Sequence, residues 1–171
     1  MRRLAPDDNL VLIGMPGVGK STVGVLLAKA LSRSFVDTDV LIQAHEGRRL
    51  QDILDAEGAE VFRGVEERHI LALECRAHVI ATGGSVVYSE AAMRHLRAGG
   101  VAVYLELPLP VLEERITNLD SRGVVMASPQ SFAGLYEERR PLYERYADVT
   151  IHCSALNHEQ AVARIMEAVG A

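Results

Sequence analysis

Residues 14–22 read Gly-Met-Pro-Gly-Val-Gly-Lys-Ser-Thr, a complete phosphate-binding loop of the form GxxxxGK[ST]. No other stretch restricts the fold as tightly, because this loop works only between a buried strand and the start of a helix. The apolar run Leu10-Val11-Leu12-Ile13 before it reads as the strand, and residues 22–31, rich in Ala, Leu and Val, read as the helix. Gly14, Gly17 and Gly19 let the backbone turn tightly and aim its N–H groups inward, and the helix N-terminus adds its positive dipole end. In such a loop Lys20 reaches the β- and γ-phosphates of a nucleotide and the Ser21 hydroxyl ligates Mg²⁺. Pro16, Val18 and Thr22 belong to the same nucleotide-binding stretch.

Strand-like and helix-like runs alternate through the rest of the chain. Strands are expected at 34–37, 78–81, 101–107 and 148–152. Helices are expected at 40–46, 50–57, 59–76, 90–97, from Pro108 to about 118, up to 146, and at 159–169, with Gly58 separating two of them. This alternation predicts an α/β fold with an open, mostly parallel sheet covered by helices on both faces. Ligands in such folds sit beyond the carboxyl ends of the strands, where the glycine loop lies.

The 171 residues predict one domain with a substantial core, residues 1–171. A net charge of −5 without blocks of like charge argues against nucleic acid or an anionic membrane as main partner. No apolar stretch approaches the ~20 residues of a membrane span. Residues 1–8 meet acid and proline early, unlike a signal peptide. Cys75 and Cys153 are isolated and lack metal-type spacing, as reduced cytoplasmic thiols would be, with Cys75 expected in a helix. The six histidines also lack metal spacing and are expected to be structural or solvated.

Asp37 and Asp39 end the second expected strand, two residues apart, which on a strand would point them the same way. One carboxylate near Mg²⁺ and one near an acceptor hydroxyl is a natural division of labour in phosphoryl transfer. A surface turn with Asp39 as helix N-cap explains the same residues. Arg63 and Arg139 lie in expected helices, where a lone arginine is ordinarily solvated.

Taken in order, GMPGVGKST, FVDTD, EVFRGVE, ATGGS, ERITNLDSRG and ERRPLYERYAD resemble the shikimate kinase family over about residues 10–169. The resemblance implies a three-layer P-loop fold of the nucleoside-monophosphate-kinase type, with a parallel five-stranded sheet and a mobile lid, here about residues 120–130. It implies ATP and Mg²⁺, a monomer, and a small carboxylated hydroxy metabolite as acceptor. By position, Lys20 resembles the phosphate lysine, and Ser21 and Asp37 the Mg²⁺ residues. Asp39 resembles the acid that holds the acceptor hydroxyl, and Arg63 and Arg139 the pair that grips its carboxylate. Gly83 and Gly84 resemble the backbone wall of that pocket. Arg115 resembles the arginine stacking on adenine, and Arg122 the lid arginine over the transferring phosphoryl group.

Two regions depart from the family pattern. A third glycine is replaced in Gly83-Gly84-Ser85, and the lid reads Arg122-Gly123-Val124-Val125-Met126 where Arg-Pro and two leucines are usual. Both departures fall on the acceptor side. They resemble a subgroup of shikimate-kinase-like homoserine kinases, so the sequence points to L-homoserine, converted to O-phospho-L-homoserine, with shikimate as the alternative acceptor. A non-catalytic nucleotide switch would keep Lys20 and Ser21 without needing Asp39, Arg63 and Arg139 together. A nucleotide or gluconate kinase of the same fold is disfavoured by the arginine pair.

Overall fold

A computed structural model describes residues 3–117 and 131–171. Five strands, β1 (Asn9–Ile13), β2 (Ser34–Asp37), β3 (His78–Ala81), β4 (Gly100–Glu106) and β5 (Val149–His152), form one sheet in the order β2-β3-β1-β4-β5. Every pairing is parallel, with Leu12 level with Ala81 on one side and Val103 on the other. β1 is buried along its whole length, and β4 along all but its last residue. This is why both read as unbroken apolar runs rather than alternating ones. From β3 the chain crosses to the far side of β1, so the crevice beyond the carboxyl end of β1 is the fold's binding position.

Among the described residues seven α-helices follow the sequence pattern: α1 (Lys20–Leu31), α2 (Thr38–Glu46), α3 (Leu50–Leu71), α4 (Glu90–Ala98), α5 (Leu109–Thr117), α6 (Phe132–Tyr146) and α7 (His158–Val169). The main core joins the strands to α1, α4, α6 and α7. A second, smaller core of Ile42, Leu50, Ile53, Leu54, Phe62 and Val65 holds α2 against α3. Each such side chain contributes about 1.5–3 kcal/mol by leaving water, so α2 and α3 pack as a unit of their own beside the sheet.

Four sequence expectations are corrected. The helix after the loop begins at Lys20, because left-handed Gly19 (φ 101°) turns the chain directly into it. Asp37 is the N-cap of α2, accepting from the N–H groups of Asp39 and Val40, so Asp39 is a helical residue and neither shares a strand face with Asp37 nor caps the helix. Within α3 the expected break at Gly58 is present, since its φ of 84° and ψ of 171° are non-helical, but the second half ends at Leu71 rather than 76. Beyond its end the Asn9 side chain ties down the following loop, donating to the Cys75 carbonyl (2.8 Å) and accepting from His78 N–H (2.9 Å). Cys75 is therefore half-buried in a loop, not helical. The expected lid, 120–130, and Arg122 within it lie outside the described residues. Among the described residues no helix is long and apolar enough to cross a membrane, and no cluster of His, Cys, Asp or Glu has metal-ligand geometry.

Candidate active site

The donor half of the site is the loop between β1 and α1. Gly14, Gly17 and Gly19 have φ of 145°, 83° and 101°, in the region that glycine alone adopts freely. Gly14 is required twice over, since a Cβ there would lie 2.6 Å from the Leu105 carbonyl oxygen at the end of β4. Lys20, the first residue of α1, is 8% exposed, and its Nζ donates to the carbonyls of Gly14 (2.7 Å) and Met15 (3.0 Å). Burial lowers its pKa to about 8, against the opposing pull of Asp39. Val18 is buried, its carbonyl accepting from Arg115 Nη1 at 3.4 Å, and Thr22 lies exposed on the first turn of α1. The imidazole of His158, at the start of α7, faces Gly19 from the other side. A histidine expected to be structural or solvated thus borders the loop.

Ser21 Oγ donates to Asp37 Oδ2 at 2.5 Å, while Asp37 Oδ1 accepts from Asp39 N (3.0 Å) and Val40 N (3.3 Å). One carboxylate therefore fixes the start of α2 and the loop hydroxyl together. A hydroxyl and a carboxylate beside a phosphate loop are the hard oxygen donors that suit Mg²⁺.

The half expected to receive the acceptor forms around the turn after β3. A Cβ on Gly83 would collide with Glu66 Oε1 and lie 2.7 Å from Asp39 Oδ1, so two carboxylates from α2 and α3 converge on this bare backbone. Gly83 N–H donates to the buried Thr38 hydroxyl at 3.1 Å, locking the turn to α2. A Cβ on Gly84 would lie 2.9 Å from Arg139 Nη1 and 3.0 Å from Pro16 Cδ, so the turn also abuts the phosphate loop. The Tyr143 hydroxyl donates to the Gly84 carbonyl at 2.6 Å, and its ring stacks on Tyr104. Arg63 from α3 and Arg139 from α6 both reach the ring of Tyr88, with Cζ 3.9 and 5.2 Å from its centroid. Arg63 is exposed and Arg139 half-buried, yet the two meet on the Tyr88 ring, with Arg139 also against Gly84.

Electrostatics set this half apart. Burial, reinforced by Asp37 and opposed by Lys20, pushes Asp39 up to about 6. Burial also pushes Glu66 up to about 7; Asp39 adds to the rise, and the Ser85 hydrogen bond and the two arginines oppose it. Ser85 Oγ donates to Glu66 Oε2 at 2.5 Å, whereas Oε1 is buried without a hydrogen-bond partner. Such an orphaned acceptor normally has a partner to find. Glu66 and Tyr88 have no place among the site residues expected from sequence. The only signal for Glu66 was its position one turn after Arg63 in EVFRGVE.

The sequence profile of shikimate kinase matches residues 16–170. A shikimate kinase from Persephonella marina is 34% identical over 92% of this chain and 96% of its own length. One from Thiobacillus denitrificans is 39% identical over 86% of this chain and 82% of its own. The chain belongs to the shikimate kinase family. Among solved structures, a shikimate kinase from Acinetobacter baumannii in complex with shikimate superposes with a TM-score of 0.85 at 29% identity, covering 95% and 92% of the two chains. The shikimate kinase of Aquifex aeolicus gives 0.79 at 30% identity, covering 95% and 96%. The fold is therefore the P-loop kinase type, and the family is one of ATP-dependent phosphotransferases acting on a hydroxyl. L-homoserine as acceptor, and with it a place in threonine synthesis, finds no support, since these relatives are shikimate kinases.

Proposed function

We propose that this chain is a shikimate kinase of aromatic biosynthesis, transferring the γ-phosphoryl group of ATP to a ring hydroxyl of shikimate to give shikimate 3-phosphate. The observation that carries this reading is the convergence of Asp39, Glu66 and Arg139 on Gly83 and Gly84, against Pro16 of the phosphate loop. A donor loop alone would serve a switch. A half-buried Asp39, a buried Glu66 and an arginine pair beside that loop suit an acceptor bearing a carboxylate and several hydroxyls.

In this reading Arg63 and Arg139 grip the acceptor carboxylate. Glu66 Oε1 accepts from one ring hydroxyl. Asp39 accepts from the hydroxyl to be phosphorylated and takes its proton. That oxygen then bonds to the γ-phosphorus as the bond to the β-phosphate bridging oxygen breaks and ADP leaves. With a pKa near 6, Asp39 is largely ionised at neutral pH yet basic enough to share that proton. Lys20 and the loop N–H groups hold the phosphates, and burial of Lys20 strengthens its field there. Ser21 and Asp37 would hold Mg²⁺, which would supply positive charge to the nucleotide phosphates. Arg115 borders the adenine end, and Arg122 serves the transferring phosphoryl group. The enzyme works as a cytoplasmic monomer of one domain. Phosphorus NMR of shikimate incubated with enzyme, ATP and Mg²⁺ should reveal one new phosphomonoester. ADP formation without that signal would overturn the assignment.

A further inference from the structure

Two guanidinium groups that must grip one carboxylate repel each other, and each sits on a long, flexible stem. Here a single side chain lies against both. Arg63 stacks on the face of the Tyr88 ring, 3.9 Å from its centroid, where the ring's negative face meets the cation. Arg139 Nε donates to the Tyr88 hydroxyl at 3.2 Å. The same hydroxyl shares a hydrogen bond with Glu138, one residue earlier on α6. Tyr88 thus links α3 to α6 through the two arginines.

Its own position is fixed. It ends the short 3-10 turn Val86–Tyr88, whose two valines are buried, and its N–H donates to the Ser85 carbonyl. The next residue, Ser89, caps α4 and donates to Glu67 of α3 at 2.6 Å. Arg63 and Tyr88 also line a cleft of about 180 Å³, so loss of the ring would give Arg63 room to swing away.

We propose that Tyr88 is a positioning residue of the acceptor site, holding Arg63 and Arg139 in the mutual orientation that receives one carboxylate. This rests on the reading that the pair binds the acceptor carboxylate. Tyr88→Phe removes only the hydroxyl's hold on Arg139, whereas Tyr88→Ala also removes the ring that both arginines reach.

The test is steady-state kinetics of both variants with shikimate and with its primary amide, which lacks the carboxylate charge. Tyr88→Ala should raise the KM for shikimate about tenfold, and Tyr88→Phe by a smaller factor, from the loss of a cation-π contact and a charged hydrogen bond. kcat and the KM for ATP should stay unchanged, and the amide should respond to neither substitution. An unchanged KM for shikimate, or an equal rise for the amide, would overturn the proposal. If Tyr88→Ala fails to fold, Tyr88→Phe still carries the test because it keeps the ring. Labelling with phenylglyoxal, mapped by mass spectrometry, reads the clamp without an acceptor: Arg63 and Arg139 should label faster in the variants. Faster labelling in an enzyme inert to shikimate would sustain the clamp while overturning the acceptor reading. Unchanged labelling in such an enzyme would overturn both.

Discussion

The donor and acceptor halves of the site face each other across Pro16 and Gly84, yet they are built by different means. The donor half is backbone: three glycines at positive φ, a helix start, and one lysine tied to the loop's own carbonyls. It carries little selectivity, because any phosphate chain presents the same oxygens to N–H groups. The acceptor half is side chains from four separated segments, Asp39, Arg63 with Glu66, Gly83 to Tyr88, and Arg139, each placed by a different helix or turn. It contains both carboxylates whose pKa values are raised by burial. A backbone site can be general and stiff. A side-chain site can be selective, but only if neighbours such as Thr38, Ser85, Tyr88 and Tyr143 hold each group in place.

Substitutions should separate the two halves. Lys20→Ala, at the centre of the donor half, should lower kcat about a thousandfold with any acceptor, since a preorganised charge at the transferring group is lost. Circular dichroism should show the fold retained, and near-full turnover would break the loop assignment. Asp39→Asn should lower kcat by about 10²–10⁴-fold, the usual worth of a positioned acid–base group, while ATP affinity by calorimetry is unchanged. In the parent enzyme kcat/KM for the acceptor should rise with pH through about 6 as Asp39 ionises, and that limb should vanish in Asp39→Asn. Gly83→Ala pushes a methyl into Glu66 and Asp39, and such a misplacement should cost about a hundredfold in acceptor turnover while leaving ATP binding intact.

Glu66→Gln probes the electrostatics through stability. The Glu66 pKa rises on folding from 4.5 to about 7, so its contribution to stability is full below pH 4.5 and is lost as pH rises to about 7. The glutamine variant lacks this loss and should gain melting temperature relative to the parent across that window. A constant difference across the window would show that Glu66 does not titrate there. The smallest effect is expected from Ser85→Gly, which removes one hydrogen bond to Glu66, worth about 1 kcal/mol, and lets the Glu66 pKa climb further.

The same contrast explains what could be read in advance. The donor half lies in one unbroken stretch whose glycines, lysine and serine announce their geometry, and the parallel sheet followed from apolar runs alternating with helical ones. Asp37 and Asp39 were both visible, but either acid makes a good N-cap; β2 ends at Asp37, and that decides which one caps α2. Arg63 and Arg139 were placed by resemblance alone, because nothing local distinguishes a gripping arginine from a solvated one. Glu66 escaped because its importance is burial beneath a turn seventeen residues away in the chain, at Gly83. Tyr88 escaped because an aromatic in a short turn carries no sign of the two helices that meet on it. L-homoserine was favoured on residues of the acceptor side, where local sequence says least about geometry.

The most direct test of a shikimate-selective acceptor half facing a general donor half is ADP release by the purified enzyme. It should be measured with ATP and Mg²⁺ in three parallel reactions: shikimate, L-homoserine and no acceptor. Fast release with shikimate alone is the expected result. Release with L-homoserine in place of shikimate, or equal release in all three, would contradict it.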